Sequence, residues 1–292
     1  MEKAPLFTGV CTAMVTPFRE DRVDLDALRR LIKRQLNAGV RALALAATTG
    51  ESSTLSDDEW ARVIACGVES AGAQAVILAG TGTNDPRHTL LRAELARKAG
   101  AQAQLVVTPY YNHTTQRGMI DYYRRVAETG LPVMLYNVPS RTGIRLTPET
   151  AAALAQHPGI IGIKEAGGDL NQLCELLRAC DLPVYCGSDR WNAEALRLGA
   201  AGIVSVVSNL LPGECVRLCA EDWQEARAIQ RGMEPLIDAL FAEVNPAPVK
   251  EALEILGLCS AAVRPPLVRV EESTRRRLQA LLSQRELVCS AC

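Results

Sequence analysis

The sequence predicts an α/β fold, a (β/α)8 TIM barrel with a C-terminal helical extension. Three observations predict it: eight short apolar segments, helical patterns between them, and no break in composition across the series. The segments are residues 10–17, 42–48, 75–82, 103–110, 132–139, 160–166, 183–188 and 202–209. Most are β-branched or Leu-rich, the signature of strands buried on both faces. A doubly wound sheet is the alternative, but it rarely needs eight such even units.

The helical patterns carry their own start and stop signals. Residues 24–38 place Leu25, Leu28, Leu31, Ile32 and Leu36 on one face and stop at Gly39. Residues 56–71 open on Ser56 with Glu59 three positions on, a capping box. Residues 90–99 end at Gly100. Residues 147–156 open with Thr147 as N-cap and Pro148 at the first helical position. Beyond Asn209 the strand signal ends. Residues 221–244, 247–256 and 271–283 read as helices, so the chain divides into a barrel over 1–222 and a helical extension over 223–292.

Composition narrows the function classes. The chain has 292 residues, 48% hydrophobic and 22% charged, ordinary for a folded protein. The net charge of -1 argues against a nucleic-acid or anionic-membrane surface. Neither a signal-peptide pattern nor a run of about 18 apolar residues is present, so a cytoplasmic protein with no membrane span is expected. The ten cysteines are scattered and read as reduced thiols; Cys289 and Cys292 form a CxxC only at the very end. His88, His113 and His157 lie far apart, so no metal site is expected.

In this fold the active site lies at the C-terminal ends of the strands. There the sequence places Thr48-Thr49-Gly50-Glu51-Ser52, Gly80-Thr81-Gly82, Tyr110-Tyr111-Asn112, Tyr136 through Gly143, Lys164, Gly187-Ser188-Asp189, Ser205 and Ser208. Lys164 ends the run Ile160-Ile161-Gly162-Ile163-Lys164. Low dielectric there disfavours an ammonium and frees the amine as a nucleophile. Pairing with Glu165 would be strained, because neighbours on a strand point to opposite faces. One lysine, several hydroxyls and one arginine on a rim suit carbonyl chemistry. An amine takes a ketone as a Schiff base, whose iminium is an electron sink, and the resulting enamine adds to an aldehyde. A tyrosine relays protons, a threonine turn holds a carboxylate, and arginine grips a second one.

Plainer readings stand beside these. Thr48 and Thr49 equally suit a strand end and helix cap. Gly80-Thr81-Gly82 is too short to specify a phosphate loop. Tyr110 and Tyr111 suit core or interface aromatics, and Arg141 a surface ion pair. Lys250, near the start of a helix, reads as solvated.

The stretches Thr48–Ser52, Pro109–Asn112, Tyr136–Gly143 and Gly162–Ala166, with Asn245-Pro246-Ala247-Pro248-Val249-Lys250, resemble the dihydrodipicolinate synthase family. The resemblance runs from about residue 9 through 257. It implies class I aldolase-type chemistry in lysine and diaminopimelate biosynthesis, with pyruvate and L-aspartate 4-semialdehyde as substrates. It implies no cofactor beyond a covalent pyruvate imine on Lys164. By the same match Tyr136 relays protons and Thr48 links it to Tyr111, which reaches in from a neighbouring subunit of a homotetramer, a dimer of dimers. Thr49 holds the pyruvate carboxylate, Arg141 binds that of the aldehyde, and Gly187 and Val204 line the pocket.

Two departures from the family pattern stand out. Ala47 occupies a position where the family often has glycine. In the feedback site for lysine, Trp60, Asn84 and Tyr110 match, but His88 replaces a glutamate that would pair with a ligand ammonium. Losing such a partner costs about 2–5 kcal/mol, so weak or absent lysine inhibition is expected. Alternatives remain: within enzymes, the superfamily's N-acetylneuraminate lyase and 2-keto-3-deoxy-sugar-acid aldolases, and from another functional class a catalytically silent homologue that binds a keto acid. Arg141 and the Tyr110-Tyr111 pair favour the synthase branch, and intact Lys164, Tyr136, Thr48 and Tyr111 argue against a silent protein.

Overall fold

The computed structural model describes residues 3–285. Eight parallel strands close into a barrel: β1 (Gly9–Ala13), β2 (Ala42–Leu45), β3 (Val76–Gly80), β4 (Ala103–Val107), β5 (Val133–Asn137), β6 (Ile160–Glu165), β7 (Val184–Cys186) and β8 (Gly202–Ser205). Each pairs with its sequence neighbours, and β8 closes on β1 through the register Gly9↔Gly202 to Thr12↔Ser205. The eight apolar segments are these strands. They overshoot the strand ends because residues such as Val206 and Val207 stay buried in the loops beyond. Burial alone reads as strand in a sequence; ladder pairing does not show there.

One irregularity bears on function. On β6 the register skips from Val133↔Ile160 to Met134↔Gly162. A one-residue shift moves every later side chain to the other face. After the shift Tyr136 stands opposite Lys164, and both point the same way.

The helices follow their signals. α1 (Leu25–Asn37) is capped by Asp24, whose side chain accepts from the Ala27 N–H. α2 (Asp57–Ala71) carries the capping box, with the Glu59 N–H donating to Ser56 Oγ and the Ser56 N–H to Glu59 Oε2. α3 (Pro86–Ala99) begins four residues before the periodic stretch, because Asp85 caps it and Pro86 pre-sets its first turn. Then come α4 (Gln116–Ala127), α5 (Pro148–Ala155) capped by Thr147, α6 (Leu170–Ala179), α7 (Asn192–Arg197) and α8 (Pro212–Ala220).

Three helices complete the described chain: α9 (Trp223–Leu240), α10 (Ala247–Ile255) and α11 (Glu272–Gln284). α9 stops at Leu240, four residues short of the periodic pattern, and residues 241–246 cross toward the top of the barrel. Among the described residues, no helix is long and apolar enough to cross a membrane. The eight described cysteines are free thiols. Cys289 and Cys292 lie outside the described residues.

Candidate active site

Lys164 sits at the C-terminal end of β6, inside the barrel, with 6% of its surface exposed. Its Nζ lies 4.1 Å from the centroid of the Tyr136 ring. Glu165 faces away: Asn137 Nδ2 donates to its Oε2 at 2.7 Å and the Gly167 N–H to its Oε1 at 2.6 Å. Burial pushes the Glu165 carboxyl above its ordinary value, and those two donors oppose the shift. The strained pairing of Lys164 with Glu165 is therefore not made.

Gly187, just past β7, leaves the space that Lys164 fills. A Cβ there would come within 2.7 Å of Lys164 Cε and 2.8 Å of Ala166 Cβ. Its φ is ordinary, so close approach and not backbone freedom is what requires glycine. Val204 lies two residues beyond Gly202 on β8. By the register Lys164↔Tyr185 and Tyr185↔Gly202 it shares the inward face. It is buried deeper, however, and does not line the cavity; Val206 does.

The turn after β2 is wound tightly. Ala46 and Glu51 both adopt left-handed φ, 47° and 53°. The Glu51 N–H donates to the Thr48 carbonyl and the Ser52 N–H to the Ala47 carbonyl. Thr16 Oγ1 donates to the Gly50 carbonyl at 2.7 Å. Thr49 Oγ1 accepts from Asn245 Nδ2 at 3.0 Å. Thr48 and Thr49 thus face Lys164 across a cavity of about 320 Å3, with Tyr136, Gly187 and Asn245 in its wall. Arg141 stands at the mouth on the turn after β5, exposed, its Nη2 donating to the Asn245 carbonyl at 3.2 Å.

A second cavity of about 270 Å3 adjoins the first and shares Thr48, Tyr136 and Arg141 with it. Tyr110 lines this one, beside Arg92 and Ser52. Trp60 is fully buried and donates through Nε1 to the Gly80 carbonyl. Asn84 and His88 do not line it; His88 Nε2 pairs with Asp57 at 2.7 Å, and the Asn84 carbonyl accepts from Asn112. Tyr111 lines neither cavity. It is 89% exposed and holds a left-handed φ of 69°, projecting away from its own barrel. Among the described residues, no group of three or more His, Cys, Asp or Glu is placed to hold a metal ion.

Besides Val204, a second expectation from the sequence is overturned. Lys250 is not solvated: it is fully buried, and its Nζ donates to Glu51 Oε1 at 2.6 Å. Burial pushes its ammonium below the ordinary value, and Glu51 opposes the shift. Lys250 stands in the first turn of α10, its side chain turned into the protein, and its partner lies 199 residues earlier, beyond the reach of any local pattern. Sequence reasoning also gave no role to Asn245, although its stretch carried part of the resemblance. Asp189, noted only as a strand-end polar residue, accepts the Val206 and Val207 N–H groups at 2.9 and 2.8 Å and so fixes the loop after β8.

The sequence model of the Dihydrodipicolinate synthetase family matches residues 6–285. The chain belongs to that family. It is 43% identical over 287 residues to a 4-hydroxy-tetrahydrodipicolinate synthase of Exiguobacterium, covering 96% of this chain and 98% of the relative. A crystal structure of dihydrodipicolinate synthase from Thermotoga maritima superposes with a TM-score of 0.95 at 40% identity, covering 97% and 99% of the two chains. A monomeric dihydrodipicolinate synthase variant superposes at 0.93 with 39% identity, covering 96% and 97%. The family resemblance read from the sequence motifs therefore extends over nearly the whole chain, with the fold intact.

Proposed function

We propose that this chain is a 4-hydroxy-tetrahydrodipicolinate synthase, a lyase that condenses pyruvate with L-aspartate 4-semialdehyde in lysine and diaminopimelate biosynthesis. The observation that carries the reading is the buried Lys164 amine, 4.1 Å from the Tyr136 ring and facing the Thr48-Thr49 turn across one cavity.

The chemistry follows from the groups present. The Lys164 amine adds to the keto carbon of pyruvate, water leaves, and an imine forms. The protonated imine draws electrons from the adjacent methyl carbon, which loses a proton to give the enamine. That carbon bonds to the aldehyde carbon of the second substrate, whose oxygen takes up a proton. Tyr136, whose ring lies 4.1 Å from the amine, brings a hydroxyl suited to carry these protons. The Thr48-Thr49-Gly50 turn takes the pyruvate carboxylate, with Thr49 as its principal donor. Arg141 at the mouth meets the carboxylate of the aldehyde with paired N–H groups. Release requires water or an amine to replace Lys164 at the imine carbon. The protonated imine formed on Lys164 is the electron sink, so the cycle needs no separate cofactor.

The same reading has Tyr111 entering a neighbouring subunit's site, in a homotetramer built as a dimer of dimers. An aromatic that is 89% exposed and held at a left-handed φ supports it. Large exposed aromatics commonly mark interfaces. Sedimentation of the purified protein tests the assembly, and Tyr111→Phe tests the shared site.

The decisive experiment is turnover of pyruvate and L-aspartate 4-semialdehyde by the purified protein, coupled to a reductase, with Lys164→Ala as control. Turnover that vanishes in the variant fixes reaction and nucleophile together. Absence of turnover in the wild type refutes the reading and turns the search to sialic acid and 2-keto-3-deoxygluconate.

A further inference from the structure

The Lys250–Glu51 pair presents a physical problem. Both side chains are essentially out of water, at 0% and 1% exposure. A buried ion pair is a poor stabiliser, because desolvation offsets most of the attraction, and apolar replacements often fold as well or better. Lys250 lines neither cavity, so it touches no substrate. What such a pair supplies is a fixed geometry.

The surroundings show which geometry is fixed. Glu51 ends the Thr48-Thr49-Gly50 turn, and its left-handed φ of 53° is unfavourable for a residue with a Cβ. Its carboxylate is held at both oxygens, Oε1 by Lys250 Nζ at 2.6 Å and Oε2 by the Arg264 N–H at 3.0 Å. Lys250 and Arg264 both lie over the Phe18 ring, at 4.1 and 4.5 Å from its centroid. Arg264 is tied in turn to Glu59 and Asp21. Five residues before Lys250, Asn245 holds Thr49 Oγ1. The stretch leading into α10 thus grips the turn twice, once at Thr49 and once at Glu51.

We propose that the start of α10 is a positioning clamp, in which Lys250 on Glu51 and Asn245 on Thr49 set the Thr48-Thr49-Gly50 turn to receive the carboxylate of the keto acid. The inference rests on the function proposed above. It makes Lys250 and Glu51 positioning residues that act through the turn, and it makes the C-terminal helices part of the substrate site.

The test is borohydride trapping of the pyruvate imine on Lys164, read by mass spectrometry across pyruvate concentrations, in wild type, Lys250→Met and Glu51→Gln. Glu51→Gln keeps shape and one acceptor, so it remains informative if Lys250→Met fails to fold. Half-saturating pyruvate is expected to rise about tenfold in either variant. The KM for the aldehyde, read by turnover, is expected to move by less than about twofold, because Arg141 is held by the Asn245 carbonyl and bonds to neither substituted side chain. A merely structural pair would instead lower the melting temperature and active fraction, leaving half-saturation where it was. That result, or equal rises for both substrates, overturns the clamp. Wild-type protein that traps no pyruvate overturns the function and the clamp with it. Wild type that traps normally beside variants that trap at the same concentration overturns the clamp alone.

Discussion

Gly187→Ala adds one methyl group where Lys164 now lies. The new Cβ would stand 2.7 Å from Lys164 Cε and 2.8 Å from Ala166 Cβ. Carbon atoms in contact prefer about 3.5–4.0 Å, so close to 1 Å of movement is needed. The partners do not yield equally. Ala166 Cβ is fixed by its backbone, whose N–H donates to the Asn137 carbonyl, and Gly187 is held by donating to the Glu165 carbonyl at 2.7 Å. Lys164 Cε is the flexible end, so the amine moves. It has a second close contact lower down, Cγ at 3.0 Å, so the whole stem is pushed toward Tyr136. Misplacing a reacting atom by about 1 Å lowers rate by roughly 10²-fold, and kcat/KM is expected to fall by that factor. Overpacking costs about 1–3 kcal/mol, enough to read by denaturant titration while the protein stays folded. The assay is the coupled condensation together with borohydride trapping of the imine. Wild-type turnover and trapping rate in a folded Gly187→Ala protein would refute the placement of Lys164 as nucleophile.

Three further outcomes are expected. Tyr136→Phe keeps the ring beside the amine and removes only the hydroxyl, so kcat should fall about 10²–10³-fold while pyruvate is still trapped on Lys164; stopped-flow turnover measures it. Arg264 holds the Glu59 carboxyl down to about 2 from 4.5. A depressed carboxylate stabilises the fold above its unfolded value and loses that contribution as pH falls through the folded one. The stability gap between wild type and Glu59→Gln, followed by urea unfolding, should therefore close between about pH 4.5 and 2, and a gap that widens there would contradict the assignment. L-lysine should bind more weakly than about 1 mM by calorimetry, because the cavity lined by Tyr110 already holds the buried cation of Arg92 and His88 is taken up by Asp57. Micromolar binding would sink that expectation.

Much of this molecule is written locally. Strand runs, caps and stops depend on residues a few positions apart, so the eight-fold alternation was legible, as were the Ser56–Glu59 box and the Thr147 cap. Lys164, Tyr136, Thr48, Thr49 and Arg141 were legible too, because barrel topology sends every strand end to one rim. The helix start at Asp85-Pro86 was missed although its signal was present; the apolar period begins only later in that helix.

The sequence by itself determined the order of elements, the family and the identity of the rim residues, all of which follow from short-range periodicity and short motifs. Tertiary structure alone decided how those residues stand to one another. The skipped register on β6 turns Lys164 and Tyr136 to the same face, and the missing Cβ of Gly187 makes room for the lysine stem. Closure of the chain over 199 residues takes Lys250 out of water and sets it on Glu51. The physical reason is that burial and pairing of a charge depend on groups brought together by packing, and no period in the sequence encodes a partner so distant.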